Sequence, residues 1–196
     1  MTKLLDNNIN TEIYWDEVYK NEFKHGKHRT DLERFEKVSG MIKDGTNVID
    51  IGCGSGEFVQ FLHERKKNCK ITGIDFSKVA IDEAKKNYRD CEFFAGDVMS
   101  LSNFSDLDYA VCFETIEHLS EPSAFIDEVN KILKKDGIFF LSTPYNNMVS
   151  GGQEHITSFI FQDMVDYFEK SDKWIPIIIM RYSANLKNMM VITKKT

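Results

Sequence analysis

"VIDIGCGSGEF", residues 48–58, sets Gly52, Gly54 and Gly56 at alternate positions, behind a β-branched apolar run and ahead of a helix-like stretch. Glycine has no Cβ, so a turn of this kind can be tight and lets a ligand come against the backbone. The stretch reads as a first strand handing over to a first helix. In a doubly wound sheet that junction is where nucleotide-like ligands bind.

Working outward, strand-like and helix-like runs alternate. "KITGIDF" (70–76), "CEFFAGDV" (91–98), "DYAVCFE" (108–114) and "GIFFLSTP" (137–144) are apolar and strand-like, and "KWIPIIIMRY" and "KNMMVITKK" close the chain as two more strands. Between them lie "GEFVQFLHERKK", "SKVAIDEAKKNY" with Ser77 as N-cap, a helix from about Ser120 with Pro122 in its first turn, and a helix over 157–170. Two amphipathic helices precede the glycine stretch. One spans 10–24, with Ile13, Tyr14, Val18 and Tyr19 at helical spacing. The other spans 29–43, with Leu32, Phe35, Val38, Met41 and Ile42, and ends at Gly45. Near-continuous apolar strands between helices predict an α/β fold, a doubly wound parallel sheet covered on both faces. The short link at 183–187 predicts that the last two strands pair antiparallel. One domain, 1–196, accounts for the chain: an N-terminal helical lid over 1–44 and a core over 45–196.

Composition narrows the partners. The 31 acidic and 25 basic residues give a net charge of −6, which disfavours a nucleic acid or an anionic membrane held by bulk charge. Cys53, Cys69, Cys91 and Cys112 form no Cys-x-x-Cys pair and read as reduced thiols, three of them in strands. The polar opening "MTKLLDNNINTEIYWDEVYK" has no secretory core, so a cytoplasmic location is expected. "WIPIIIM" (174–180) is far too short to span a bilayer.

The ligand follows from spacing. Asp75 lies at the end of the second strand, where a carboxylate can accept hydrogen bonds from both ribose hydroxyls. Either signal alone is also met by a tightly packed turn or a helix cap. A dinucleotide site needs G-x-G-x-x-G and a pyrophosphate on the helix N-terminus. Here the spacing is G-x-G-x-G, and Glu57 stands in the first helical turn, where it would repel a pyrophosphate. No Gly-Lys-Ser/Thr follows, which excludes a P-loop. The expected ligand has a ribose and an adenine and no phosphate, so NAD is not expected.

The run "VIDIGCGSGEF … GIDFS … FFAGDV … VCFETIEHL … LKKDGIFFLSTP" resembles the class I S-adenosylmethionine-dependent methyltransferases over about residues 46–145. The resemblance implies a Rossmann-like seven-stranded sheet with an antiparallel last strand. It also implies roles for particular residues. Asp50 and the loop of Gly52, Cys53, Gly54 and Gly56 would surround the methionine part and the ribose of S-adenosyl-L-methionine. Asp75 would take the ribose hydroxyls and Phe76 would line the adenine. Asp97 would accept from the adenine amino group with Val98 beside it, and Phe113 and Glu114 would lie under the methionyl end.

The acceptor side is sought at the methyl end. Glu114, Glu117 and His118 of "ETIEH" are spaced so that one helical turn would bring them together. His155 lies in the loop after the fifth strand. His118 and His155 are the candidate bases, and Glu114, Glu117, His118 and His155 together are a candidate site for Zn, Mg or Mn. The arrangement resembles two metal-using branches, the ubiquinone-pathway O-methyltransferases and the enzymes that 2′-O-methylate small-RNA 3′ ends. His118 as a lone base, or as an orienting group, stays open beside the metal. "YWDEVY" (14–19) resembles a small-molecule methyltransferase lid, and Arg29 is a candidate partner for the cofactor carboxylate. The expected reaction is methyl transfer to a hydroxyl of a small metabolite or of a terminal group on a glycan or lipid-linked molecule. Alternatives are N-methylation of a small amine or amino sugar, RNA 3′-end 2′-O-methylation, and a binding protein without turnover.

Overall fold

The computed structural model describes residues 2–3, 9–26, 31–145, 154–182 and 188–196. In chain order the strands are β1 (Thr2–Lys3), β2 (Asn47–Ile51), β3 (Lys70–Asp75), β4 (Glu92–Ala95), β5 (Leu107–Phe113), β6 (Leu133–Pro144), β7 (Thr157–Ser158), β8 (Trp174–Tyr182) and β9 (Asn188–Lys195). The helices are α1 (Glu12–Lys24), α2 (Leu32–Met41), α3 (Glu57–Arg65), α4 (Lys78–Asn87), α5 (Pro122–Ile132) and α6 (Phe161–Glu169), with a 3-10 turn at Ile116–His118.

Seven strands form one sheet in the order β4-β3-β2-β5-β6-β9-β8. The pairs from β4 through β6 are parallel, and β9 runs antiparallel to both β6 and β8. This is the doubly wound sheet with an antiparallel last strand that the sequence leads one to expect. Alternation along each strand splits the core. Ile49, Ile51, Ala110, Cys112, Phe139 and Leu141 face Phe125 and Val129 of α5 and Met164 and Phe168 of α6. Val48, Tyr109, Val111 and Phe140 face Phe35 and Val38 of α2, Phe58 and Leu62 of α3, and Ile81 and Ala84 of α4. The strand order reverses at β2, which has β3 on one side and β5 on the other. Loops leaving the carboxyl ends of β2 and β5 therefore diverge there and open a crevice.

Ser77 caps α4 as expected, its hydroxyl accepting from the Ala80 N–H. Four details differ from expectation. The helix read over 157–170 begins only at Phe161, because Thr157 and Ser158 pair with β1 and the Thr157 hydroxyl donates to the Leu119 carbonyl. In α2, Leu32 and Met41 are exposed while Phe35 and Val38 are buried, and Ile13 of α1 is exposed as well, so these apolar faces are narrower than periodicity suggests. Gly45 sits at φ +72 in the turn beyond α2 rather than at its end. Only Cys112 lies within a strand. Cys69 and Cys91 stand one residue before β3 and β4, and Cys53 lies in the glycine loop; all four are free thiols. Arg29 and most of the loop after β6 lie outside the described residues. Among the described residues, no helix is long and apolar enough to cross a membrane.

Candidate active site

The glycine loop folds back onto the end of β3. Gly52 and Cys53 donate their N–H groups to the Ile74 carbonyl at 2.8 and 3.0 Å. Gly54 N–H donates to one Asp75 oxygen at 2.8 Å, and Ser77 N–H to the other at 2.9 Å. Asp75 thus joins the loop to the start of α4. Gly52 is at φ +76, and a Cβ there would stand 2.2 Å from Thr115 Oγ1. Gly56, at φ +86, serves a different purpose: a Cβ would lie 2.6 Å from the Phe93 ring, so its smallness lets α3 close against the sheet.

Above the loop is a cavity of about 350 Å³, within the usual size of a small-molecule site. Asp50, Gly52, Cys53, Gly54, Asp75, Phe76, Asp97, Val98, Phe113 and Glu114 all line it. Of the expected cofactor residues, Gly56 is the exception; it faces Phe93 and Ala84 instead. Asp97 is exposed at the rim and accepts from the Met99 N–H at 2.8 Å, while Val98 is buried.

The floor is acidic. Burial, together with nearby Asp75, pushes the Asp50 carboxyl up to about 8, against the opposing pull of Arg34. Burial likewise pushes the Cys53 thiol up, away from the thiolate form. Arg34 was not anticipated. It is buried on α2, and its Nη1 donates to Glu114 Oε1 at 2.8 Å and to Ser142 Oγ at 2.9 Å. Its guanidinium also lies 4.6 Å from the centre of the Phe113 ring. A signal was available, since Arg34 stands one turn before Val38 on the apolar face of α2.

Glu114 does not join the turn that follows it. It takes φ +49, outside any helical turn, and its carboxylate is held by Arg34 and Ser142. Burial raises its carboxyl, opposed by Arg34. The 3-10 turn then carries Glu117 and His118 alone. Glu117 is fully buried, accepts from Thr143 Oγ1 at 3.1 Å, and is held well above the usual carboxylate range by burial and by Glu114. His118 stacks edge-on against Trp15 of α1 at 4.8 Å and against His155 at 4.9 Å. Ligand atoms of Glu117, His118 and His155 all lie within 4.8 Å of one another. The expected four-residue set is therefore a three-residue set, with Glu114 withdrawn by Arg34.

His118 Nδ1 lies 2.9 Å from the Glu154 carbonyl oxygen. A carbonyl only accepts, so Nδ1 donates here, and in the neutral ring the lone pair belongs to Nε2. Burial pushes the His155 imidazole down, against Glu154. A second cavity of about 180 Å³ is lined by Tyr14, Trp15, Val18, Glu114, Glu117, His118, Pro144, Glu154 and His155. Trp15, Glu114 and His118 line both cavities, so they stand at the boundary between the two.

Fold and cleft together define a class I S-adenosylmethionine-dependent methyltransferase. The methyltransferase domain family matches residues 42–189, and the chain belongs to that family. It is 30% identical over 106 residues to (S)-tetrahydroprotoberberine N-methyltransferase of Eschscholzia californica, which covers 52% of this chain and 30% of that protein. It is 28% identical over 142 residues to ubiquinone biosynthesis O-methyltransferase of Neisseria meningitidis, covering 68% of this chain and 58% of that one. The chain thus matches about a third to three fifths of the length of these relatives. Among solved structures, magnesium protoporphyrin IX methyltransferase of Synechocystis with bound S-adenosylhomocysteine superposes with a TM-score of 0.75. That match has 14% identity and covers 94% of this chain and 98% of the other.

Proposed function

We propose that this protein transfers a methyl group from S-adenosylmethionine to a hydroxyl of a small metabolite or of a terminal group on a glycan or lipid-linked molecule. The larger cavity would take the cofactor, which when bound supplies an electrophilic methyl group. Asp75 would hold the ribose hydroxyls and Asp97 the adenine amino group. The smaller cavity, under α1 and the turn after β5, would take the acceptor. In this reading the α1–α2 region is a lid on a single catalytic domain.

The observation that carries the reading is the 2.9 Å contact between His118 Nδ1 and the Glu154 carbonyl. A hydroxyl is a weak nucleophile near neutral pH and needs a base. With Nδ1 committed to the Glu154 carbonyl, Nε2 is the nitrogen that would serve as the base, and His118 lines both cavities. N-methylation is less well served, because an amine would want a carboxylate to orient it. Glu114 is already engaged by Arg34, and burial holds the Glu117 carboxyl well above the usual carboxylate range.

A second reading is favoured by the clustering of Glu117, His118 and His155. Two imidazoles and the Glu117 carboxylate suit Zn best, with Mn or Mg resting more on the carboxylate, and the His118–Glu154 contact is the kind of outer hydrogen bond that orients a ligand imidazole. A divalent ion held by these three residues would acidify a hydroxyl placed beside it.

The test is a screen of acceptor pools with isotopically labelled methyl donor, with and without chelator. The His118→Ala variant is expected to turn over about 100-fold or more slowly, with affinity for S-adenosylhomocysteine within twofold of wild type. Full activity in excess chelator leaves the lone base. Loss of activity that Zn, Mn or Mg restores to wild type, but not to His155→Ala, establishes the metal. Unchanged turnover in His118→Ala refutes both roles.

A further inference from the structure

Asp16 lies on α1 between Trp15 and Tyr19, two residues that line the larger cavity. Its Oδ1 accepts from Ser77 Oγ at 2.6 Å and from Val79 N–H at 3.1 Å. Both donors belong to the start of α4. Ser77 is fully buried, and its N–H is bound to Asp75, whose other oxygen holds Gly54. One chain of hydrogen bonds therefore runs from the glycine loop through Asp75 and Ser77 to the lid helix. The lid in turn brings the Tyr19 hydroxyl so close to Gly54 that a Cβ there would stand 2.8 Å from it.

We infer that Asp16 is the latch of the lid, a positioning residue that couples the occupied cofactor cavity to closure of α1. The inference rests on the larger cavity taking the cofactor. Asp75 is at once the expected ribose ligand and the residue that fixes the Ser77 backbone. A ribose bound to Asp75 stiffens the segment that presents both donors to Asp16. With α1 held, Trp15 stays against His118 and completes the wall of the smaller cavity. The cofactor then leaves slowly, and the acceptor cavity exists only while the latch is made.

The experiment uses S-adenosylhomocysteine, so no methyl transfer is required. In the wild type it should slow amide exchange across α1. In Asp16→Ala that ligand-dependent protection should vanish and dissociation should quicken about tenfold to a hundredfold, the worth of hydrogen bonds to a carboxylate. Ser77→Thr, which keeps the hydroxyl, should stay within about threefold of wild type. The double variant Asp16→Ala/Ser77→Ala should fall short of the product of the two single effects, because the Asp16–Ser77 contact is lost in both single variants. Should Asp16→Ala fail to fold, Asp16→Asn carries the same comparison, with a smaller expected effect. Unchanged dissociation and unchanged α1 exchange overturn the latch alone, as does an additive double variant. Failure of the wild type to bind S-adenosylhomocysteine overturns both the latch and the cofactor reading.

Discussion

Asp50 offers the sharpest quantitative test. Its carboxyl is 3% exposed and is held at about 8, with burial as the main cause. Asp75 and Glu57 add to the rise, and Arg34 opposes it. A cofactor carrying sulfonium and ammonium charges in this cavity would favour the ionised carboxylate and so expel one proton. Below pH 8 each unit of acid then weakens binding about tenfold, equivalent to about 1.4 kcal/mol. Between pH 6 and pH 8 the apparent Kd should tighten about 50-fold, and above pH 8 it should level off. Calorimetry at pH 6.5 in buffers of different ionisation enthalpy should find about one proton released per cofactor bound. Asp50→Asn should flatten the profile and abolish the release. Stability should move the other way. A carboxyl raised on folding binds its proton in the native state, so the stability it contributes is complete below the unfolded pKa of about 4 and is lost as pH rises toward 8. Asp50→Asn should remove that slope too. A Kd independent of pH from 6 to 8, with no buffer-dependent heat, would refute the argument.

Two other perturbations follow from the same geometry. Arg34→Ala should cost about 2–3 kcal/mol in denaturant unfolding, somewhat under the range for a fully buried pair, because the Glu114 side chain keeps 27% exposure; Arg34→Ala/Glu114→Gln should recover part of it. Gly52→Ala forces a Cβ to within 2.2 Å of Thr115 Oγ1 at positive φ, so it should destabilise by about 2 kcal/mol or more and abolish cofactor binding, as read by melting and titration.

The local and periodic features of this protein are legible in its amino-acid order alone. β-branched runs alternating with amphipathic helices specify a doubly wound sheet, because each period matches one way of burying apolar surface. The G-x-G-x-G turn and Asp75 mark the larger cavity, because both sit at fixed offsets from strand ends. Contacts between distant residues emerge only once the chain has packed. Arg34 meets Glu114 across 80 positions, and that pairing, with Glu114 at φ +49, removes Glu114 from the group that spacing alone would make of "ETIEH". His155 reaches His118, and Asp16 reaches Ser77, because β7 and α4 bring those segments together; no local period encodes such meetings. The raised Asp50 and Glu117 carboxyls belong to the same class. An ionisable group acquires its pKa from the water it loses and the charges it faces, and both are settled only when the chain has packed.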